Sequence, residues 1–308
     1  MIDRRAFLRV AAAGVAGIAV SSCGAPPVSL RLVSGEVGGF FWEFAQLLAS
    51  AARRANSEVV IAPVATAGSV GNLRALESGE AELGLSLVDS AVDQFTEHGG
   101  FGAVGRVYEN YMQLAVRDDS QIRRIEDLRG ARVSVGAPGS GAQLSAERIL
   151  AAAGLGTAGA VDRVELPMTE AGHALGNGSI DAALWAGGIP TPSFVGLPVQ
   201  IRLVDLSATV DQLRVQYGPI YERVVIGANT YGTHPAVATV GLANLLLAAN
   251  GVSDTAVGAV VDLLIEHASA LVPNQAVGSQ FLDRQSLIVT GAVPLHPGAA
   301  AAYVRQHG

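Results

Sequence analysis

A short alternation of apolar and polar residues, a glycine-rich turn and a helical repeat of apolar residues follow one another three times along this chain. The clearest case begins at residues 132–135, whose alternation predicts a short strand. Glycine and proline within residues 136–141 predict a turn, and apolar residues from Leu144 onward predict a helix. Residues 29–55 and 58–77 show the same order. Strands and helices that alternate in this way favour an α/β fold with largely parallel sheets.

The rest of the chain continues this pattern less regularly. Further strands are predicted at residues 81–87, 107–116, 163–166, 181–184, 200–203 and 224–226, and further helices at residues 169–176, 253–271 and from residue 297 onward. Residues 237–248 fit a helix and a strand equally well, because alanine, leucine and valine leave the period unclear. The polar residues 118–120 mark an expected crossing into a second domain.

The turn at residues 136–141 is the first candidate site, because the free N–H groups of the following helix attract anions. A P-loop is excluded, since the chain contains no lysine and its 20 basic residues are all arginine. A dinucleotide fingerprint is excluded because its third glycine is missing. A helix start that holds a carboxylate or another small anion remains, beside the alternative of a turn without a ligand.

The N-terminal residues predict export. Three arginines within residues 1–9 precede an apolar stretch at residues 10–20, and the single cysteine of the chain, Cys23, follows. This order predicts a signal peptide at residues 1–22 and a lipidated Cys23, with residues 23–28 as a tether. Arg4 and Arg5 resemble a twin-arginine export signal, so both the Sec and the twin-arginine routes stay open. The protein is expected outside the cytoplasm, anchored to the cell membrane by lipid.

Composition argues against several functional classes. A net charge of −7 and the lack of long basic runs argue against nucleic-acid binding. The six histidines are scattered singly, so neither a metal site nor a cofactor is expected. Ser69 lies in A-G-S-V-G, which lacks the first glycine of a nucleophile elbow. An enzyme is therefore the least favoured class.

Several short motifs occur in one order along nearly the whole expected mature chain. They are G-G-F-F at residues 38–41, T-A-G-S-V-G-N-L at 66–73, S-G-E-A-E-L-G at 78–84, D-L-R-G-A-R-V-S-V-G-A-P-G-S-G at 127–141, G-S-I-D-A at 178–182 and L-H-P at 295–297. In this order they resemble the TAXI-type solute receptors of tripartite ATP-independent periplasmic (TRAP) transporters. The resemblance implies a type II periplasmic-binding-protein fold, in which two α/β lobes close around one ligand. Residues 29–113 with 250–308 are expected to form lobe I, and residues 114–249 lobe II.

The resemblance also implies a role in transport, with delivery of the ligand to a membrane permease driven by an ion gradient. Ligands in this family are mostly small carboxylates, glutamate and 2-oxoglutarate-like acids among them. Carried over by position, the binding residues are Gly39, Phe41, Gly68, Ser69, Asp89, Gly139, Ser140, Gly141, Ala142 and Trp185. The family commonly has tyrosine where Phe41 stands and threonine where Ala142 stands. Because each change removes a hydroxyl group, a less polar acid is a second candidate ligand.

The residues by themselves leave other roles open. Asp89 could bind a ligand ammonium group or cap the helix that begins there. Trp185 could form a cleft wall or pack in the core. A receptor that senses or buffers a ligand without any transporter is the alternative function.

Overall fold

The computed structural model describes residues 26–273 and 282–307. The predictions that concern the signal peptide, Arg4, Arg5 and Cys23 lie outside the described residues. Within the described ranges, every helix is too short or too polar to cross a bilayer.

Ten strands of the described chain form one sheet. They are β1 (Val28–Val33), β2 (Val59–Val64), β3 (Leu83–Leu87), β4 (Phe101–Arg117), β5 (Arg132–Ser134), β6 (Asp162–Val164), β7 (Ala182–Gly187), β8 (Ile201–Val204), β9 (Tyr221–Ile226) and β10 (Val237–Ala249). Their order is β2-β1-β3-β10-β4-β7-β5-β6, with β8 beside β4 and β9 beside β10. Pairing is parallel at β1–β2, β1–β3, β5–β6 and β5–β7, and antiparallel wherever β4 or β10 takes part.

The described residues also form nine helices. They are α1 (Phe40–Arg54), α2 (Ser69–Glu77), α3 (Val88–Glu97), α4 (Gly141–Ala152), α5 (Met168–Asn177), α6 (Val210–Tyr217), α7 (Asp254–Glu266), α8 (Arg284–Leu287) and α9 (Pro297–His307). We call β1–β3 with α1–α3 and α7–α9 lobe I, and β5–β9 with α4–α6 lobe II. One apolar core extends through both lobes, and a smaller apolar cluster surrounds Trp185 and Phe194 in lobe II.

Most elements form where the sequence predicts them. The three units of strand, glycine loop and helix are present as β1–α1, β2–α2 and β5–α4. Residues 237–248, whose sequence fits a helix and a strand equally well, form strand β10. The helix predicted at 253–271 ends at Glu266 and is followed by a short 3-10 turn. Helix α6 was missed, because its eight residues carry only a weak apolar repeat, with Val210 and Leu213 buried.

Strands β4 and β10 are shared by the two lobes. Residues 244–248 of β10 pair with β3 in lobe I, whereas residues 237–242 pair with β9 in lobe II. Within the stretch that pairs with β3, the pairing of β10 with β4 shifts register between Asn244 and Leu245 and again between Leu246 and Leu247. Such an irregularity bends and twists paired strands locally. The residue bounds expected for the lobes stay a prediction, because both strands contribute to both lobes.

Glu109 lies on β4 close to this register shift and is only 3% exposed. Arg106 Nη2 donates to Glu109 Oε2 over 2.8 Å and also contacts Glu222. Within the described residues, Glu109 Oε1 has no hydrogen-bond partner. Burial, opposed by Arg106, raises the pKa of Glu109 from 4.5 to about 7.

Replacement of Glu109 by glutamine should flatten the pH dependence of stability. Between pH 4.5 and about pH 7 folded Glu109 keeps a proton that the unfolded chain loses, so the free energy of unfolding falls as pH rises. This loss amounts to as much as about 3 kcal/mol in the wild type. Urea unfolding at pH 5 and pH 8 measures it, with the exposed substitution Glu97→Gln as control. Equal pH dependence in Glu109→Gln and wild type would contradict the assignment.

Candidate functional site

A cleft lies between the lobes, beneath the glycine loops. Its volume is about 690 Å³, including the part that opens to solvent. Eight of the ten residues carried over by position line it: Gly39, Phe41, Gly68, Ser69, Ser140, Gly141, Ala142 and Trp185. Asp89 and Gly139 are not among the lining residues.

Helices α1, α2 and α4 begin at the cleft, and so does α5, whose first N–H, that of Met168, is bound to Glu36. Asn72 fixes the start of α2, because its buried amide donates to Ser34 O on one side and to Leu85 O on the other. Gly68, which precedes α2, has φ +120°, a value that side-chain-bearing residues rarely adopt. The first N–H groups of each helix have no intrahelical partner, so the starts of α1, α2 and α4 can donate to an anion in the cleft.

The two serine hydroxyl groups already accept hydrogen bonds from backbone N–H groups, Ser69 from the end of β3 and Ser140 from its own helix start. Ser69 Oγ accepts the N–H of Leu87 at 3.0 Å, and Ser140 Oγ caps α4 by accepting the N–H of Gln143 at 3.1 Å. Each hydroxyl keeps its own proton for donation to a ligand. The N–H of Gly139, in contrast, donates to Gln143 Oε1, so it serves the loop.

The loops of the two lobes meet at Ser69 and Gly141. A Cβ atom added at Gly141 would overlap Ser69 Oγ and lie 2.8 Å from Ser69 Cβ. It would also come within 3.0 Å of Leu87 Cδ1. Only a residue without a side chain allows this approach, so Gly141 permits the lobes to touch at the cleft.

Aromatic side chains line the cleft from both lobes. Trp185 stacks on Phe194 with ring centroids 3.7 Å apart, and its Nε1 donates to Thr191 Oγ1 at 3.1 Å. The indole is therefore held by lobe II on one face and at its polar edge. Phe41 faces the cleft from α1 and is 9% exposed.

Asp89 belongs to a buried network between α3 and lobe II instead of the cleft. Its Oδ2 accepts hydrogen bonds from Ser145 Oγ at 2.7 Å and from Tyr221 OH at 3.2 Å. Arg148 stands 4.0 Å from this carboxylate and forms an ion pair with Asp93. Burial raises the pKa of Asp89, while the hydrogen bond from Ser145 and the charge of Arg148 oppose the rise. Asp89 thus joins the lobes and has no free oxygen directed at a ligand.

Two cleft residues, Glu36 and Asn110, were not singled out in the sequence. Glu36 lies in the loop before α1, and its Oε2 accepts the N–H of Met168 at the start of α5 over 3.1 Å. Burial raises the pKa of Glu36, and the hydrogen bond from Met168 opposes the rise. Asn110 lies on β4 and is 4% exposed, and its Oδ1 has no partner among the described residues. The position of Glu36 within a glycine loop could have indicated a site residue. For Asn110 the sequence offers only a polar residue within an apolar strand.

The charge of the cleft comes from one side chain. Among the described residues that line it, Glu36 is the only ionisable one. The described part of the chain also holds no group of three or more histidine, cysteine or acidic residues that could bind a metal ion. The arrangement suits a small molecule held by backbone N–H groups, polar side chains and an apolar wall.

Residues 32–306 match the NMT1-like family. The chain belongs to this family. A solved structure from Bordetella bronchiseptica is similar at 17% identity and a TM-score of 0.53, over 91% of this chain and 88% of that one. A Xanthomonas citri protein bound to a chloride ion is 13% identical, with a TM-score of 0.51 over 91% and 99% of the chains. The periplasmic aliphatic sulphonate-binding protein SsuA from Escherichia coli is 18% identical, with a TM-score of 0.45 over 91% and 83%.

At these identities the likeness concerns the fold alone. The expected α/β fold of periplasmic binding proteins, with two lobes and a cleft between them, is confirmed.

Substitution of Gly141 by alanine should keep the lobes apart without unfolding them. The added methyl group collides with Ser69 and crowds Leu87, both in lobe I, so the two loops cannot meet. Small-angle X-ray scattering should show a larger radius of gyration than in the wild type, and the melting temperature should change little. Gly71→Ala is the matched control, because nothing lies within 4 Å of a Cβ there. Identical scattering of Gly141→Ala and wild type would contradict this role of Gly141.

Proposed function

We propose that this protein is an extracytoplasmic solute-binding lipoprotein that captures a small carboxylate in the cleft between its lobes. The convergence of three helix starts on that cleft carries the proposal, since their free N–H groups suit a carboxylate. The ligand is glutamate-like, 2-oxoglutarate-like or a less polar acid. Phe41 and Ala142 at the cleft support the last of these, because neither offers a hydroxyl group.

The side chains that line the cleft suit binding of a ligand without catalysis. Glu36 is the single ionisable group among the described lining residues, so the wall offers no pair of titratable groups for general acid–base chemistry. The shared strands β4 and β10 support closure by a hinge, with Gly39, Gly68, Ser69, Ser140 and Gly141 as contacts to the ligand. Cys23 is proposed as the lipid anchor, after export directed by a signal that contains Arg4 and Arg5.

We further propose a TRAP-type permease as the partner that receives the ligand. The motif resemblance supports it, in particular the runs at residues 66–73 and 127–141. A receptor that senses or buffers its ligand without a transporter is the second candidate.

A thermal-shift panel tests the ligand class. Protein freed of bound molecules by unfolding, dialysis and refolding is heated with acetate, pyruvate, succinate, 2-oxoglutarate, glutamate, leucine and 4-methylpentanoate. A ligand at 1,000 times its dissociation constant adds about 4 kcal/mol of stability, which raises the melting temperature by several degrees. At least one acid should do so, and the matched alcohols and amines should not. No shift with any acid would overturn the proposed ligand class.

Uptake into membrane vesicles from the source cells tests the partner. When purified protein loaded with a radiolabelled acid from the panel is added, uptake should follow an imposed sodium or proton gradient and persist without ATP. Vesicles without the added protein are the control. A requirement for ATP would exclude the TRAP-type permease. If no uptake occurs with or without an imposed gradient, the receptor without a transporter would be favoured.

A further inference from the structure

Glu36 gives the cleft a negative charge of its own. The described lining residues include no arginine, so attraction of an acid depends on the starts of α1, α2 and α4. The start of α5 is already used, since the N–H of Met168 donates to Glu36. A dicarboxylate would bring two further negative charges beside a half-buried carboxylate, with no cationic side chain among the described lining residues to offset them.

Asn110 adds an unused hydrogen-bond acceptor at the same cleft. It lines the wall from β4, its side chain is almost completely buried, and Oδ1 has no partner within the described residues. A buried oxygen without a hydrogen bond costs free energy, which a donor on a ligand would recover. Two polar groups outside the helix starts, Glu36 and Asn110 Oδ1, are hydrogen-bond acceptors and therefore favour a ligand that donates hydrogen bonds.

The remaining wall is apolar. Phe41, Leu166, Met168, Leu184 and Trp185 line the cleft beside these polar groups. A charged side chain on the ligand would lose its hydration against this wall without a partner, whereas an apolar or amide side chain would not meet that cost.

On the basis of the solute-binding role proposed above, we propose that the ligand is an amino acid with one carboxylate and an uncharged side chain. Its ammonium group binds Glu36 and Asn110 Oδ1, and its carboxylate accepts the N–H groups at the starts of α2 and α4. The ammonium group neutralises the charge of Glu36, so the occupied cleft contains one ion pair and one carboxylate that the helix N–H groups hold.

Matched ligand pairs test the charge of the ligand by isothermal titration calorimetry at pH 7.5. Leucine and 4-methylpentanoate differ only in the ammonium group, and glutamine and glutamate differ only in the second carboxylate. Leucine or glutamine should bind at least about 10-fold more tightly than its partner. Tighter binding of 2-oxoglutarate, glutamate or 4-methylpentanoate would overturn this inference while the proposed capture of a carboxylate stands. Absence of binding by every acid would overturn both.

Glu36→Gln tests the charge at its source. Glutamine can still accept the N–H of Met168, so the substitution removes the charge and keeps the contact. Binding of the preferred amino acid should weaken about 10- to 100-fold, whereas binding of its deaminated analogue should stay the same or improve. Glu170→Gln is the matched control, since Glu170 is exposed, lies near Glu36 and does not line the cleft. If the affinity for the amino acid and for its deaminated analogue fell equally, Glu36 would only hold the lobes together and would not bind the ammonium group.

Asn110→Leu separates binding from folding. Leucine is similar in size to asparagine and removes the unpaired oxygen, so the melting temperature of the ligand-free protein should hold or rise. Binding of the amino acid should nevertheless weaken. A lower melting temperature with unchanged affinity would show that Asn110 is structural and overturn its place in the site.

Discussion

The antiparallel pairing of β4 with β10 is the constraint on which the rest of the molecule depends. Both strands belong to both lobes, so the loops that meet at the cleft are positioned by the twist of a single pair of strands. The register shift after Asn244 bends that pair within the stretch that joins β3, close to the stretch that joins β9. Asn110 and Glu109 lie beside this bend on opposite faces of β4, since successive side chains of a strand alternate. The cleft wall at Asn110 and the contact of Glu109 with Arg106 thus lie on opposite faces of one strand.

The contacts between the lobes differ in what their loss would expose. Separation at Ser69 and Gly141 exposes a serine and a glycine, both of which water solvates readily. Separation at Asp89 would instead expose a carboxylate that accepts bonds from Ser145 and Tyr221 while Arg148 stands nearby. The two contacts therefore differ in kind: the lobes meet at the cleft through close packing of small residues, and at Asp89 through hydrogen bonds between polar side chains.

The local part of this architecture could be predicted from the sequence, because it depends on neighbours in the chain. Glycine and serine at residues 68–69 and 139–141 mark helix starts through backbone conformation and capping alone, and those loops do lie at the cleft. Asp89 and Glu36 depend on distant partners: Tyr221 and Met168 each lie 132 positions away from them. The periodicity of apolar residues carries no information about such long-range contacts. Asn110 could not be predicted as a cleft residue for a related reason. A polar residue in a central strand is recognised as part of a site only when the residues opposite it in the cleft are known.

The stack of Trp185 on Phe194 makes the cleft visible to spectroscopy. Phe194 and Thr191 fix the indole on the protein side, so its emission varies with what occupies the cleft side. The chain has one other tryptophan, Trp42, which is half-buried on α1 and does not line the cleft. Its contribution to fluorescence is a constant background. The wild-type protein therefore contains its own optical reporter of ligand entry, without any label.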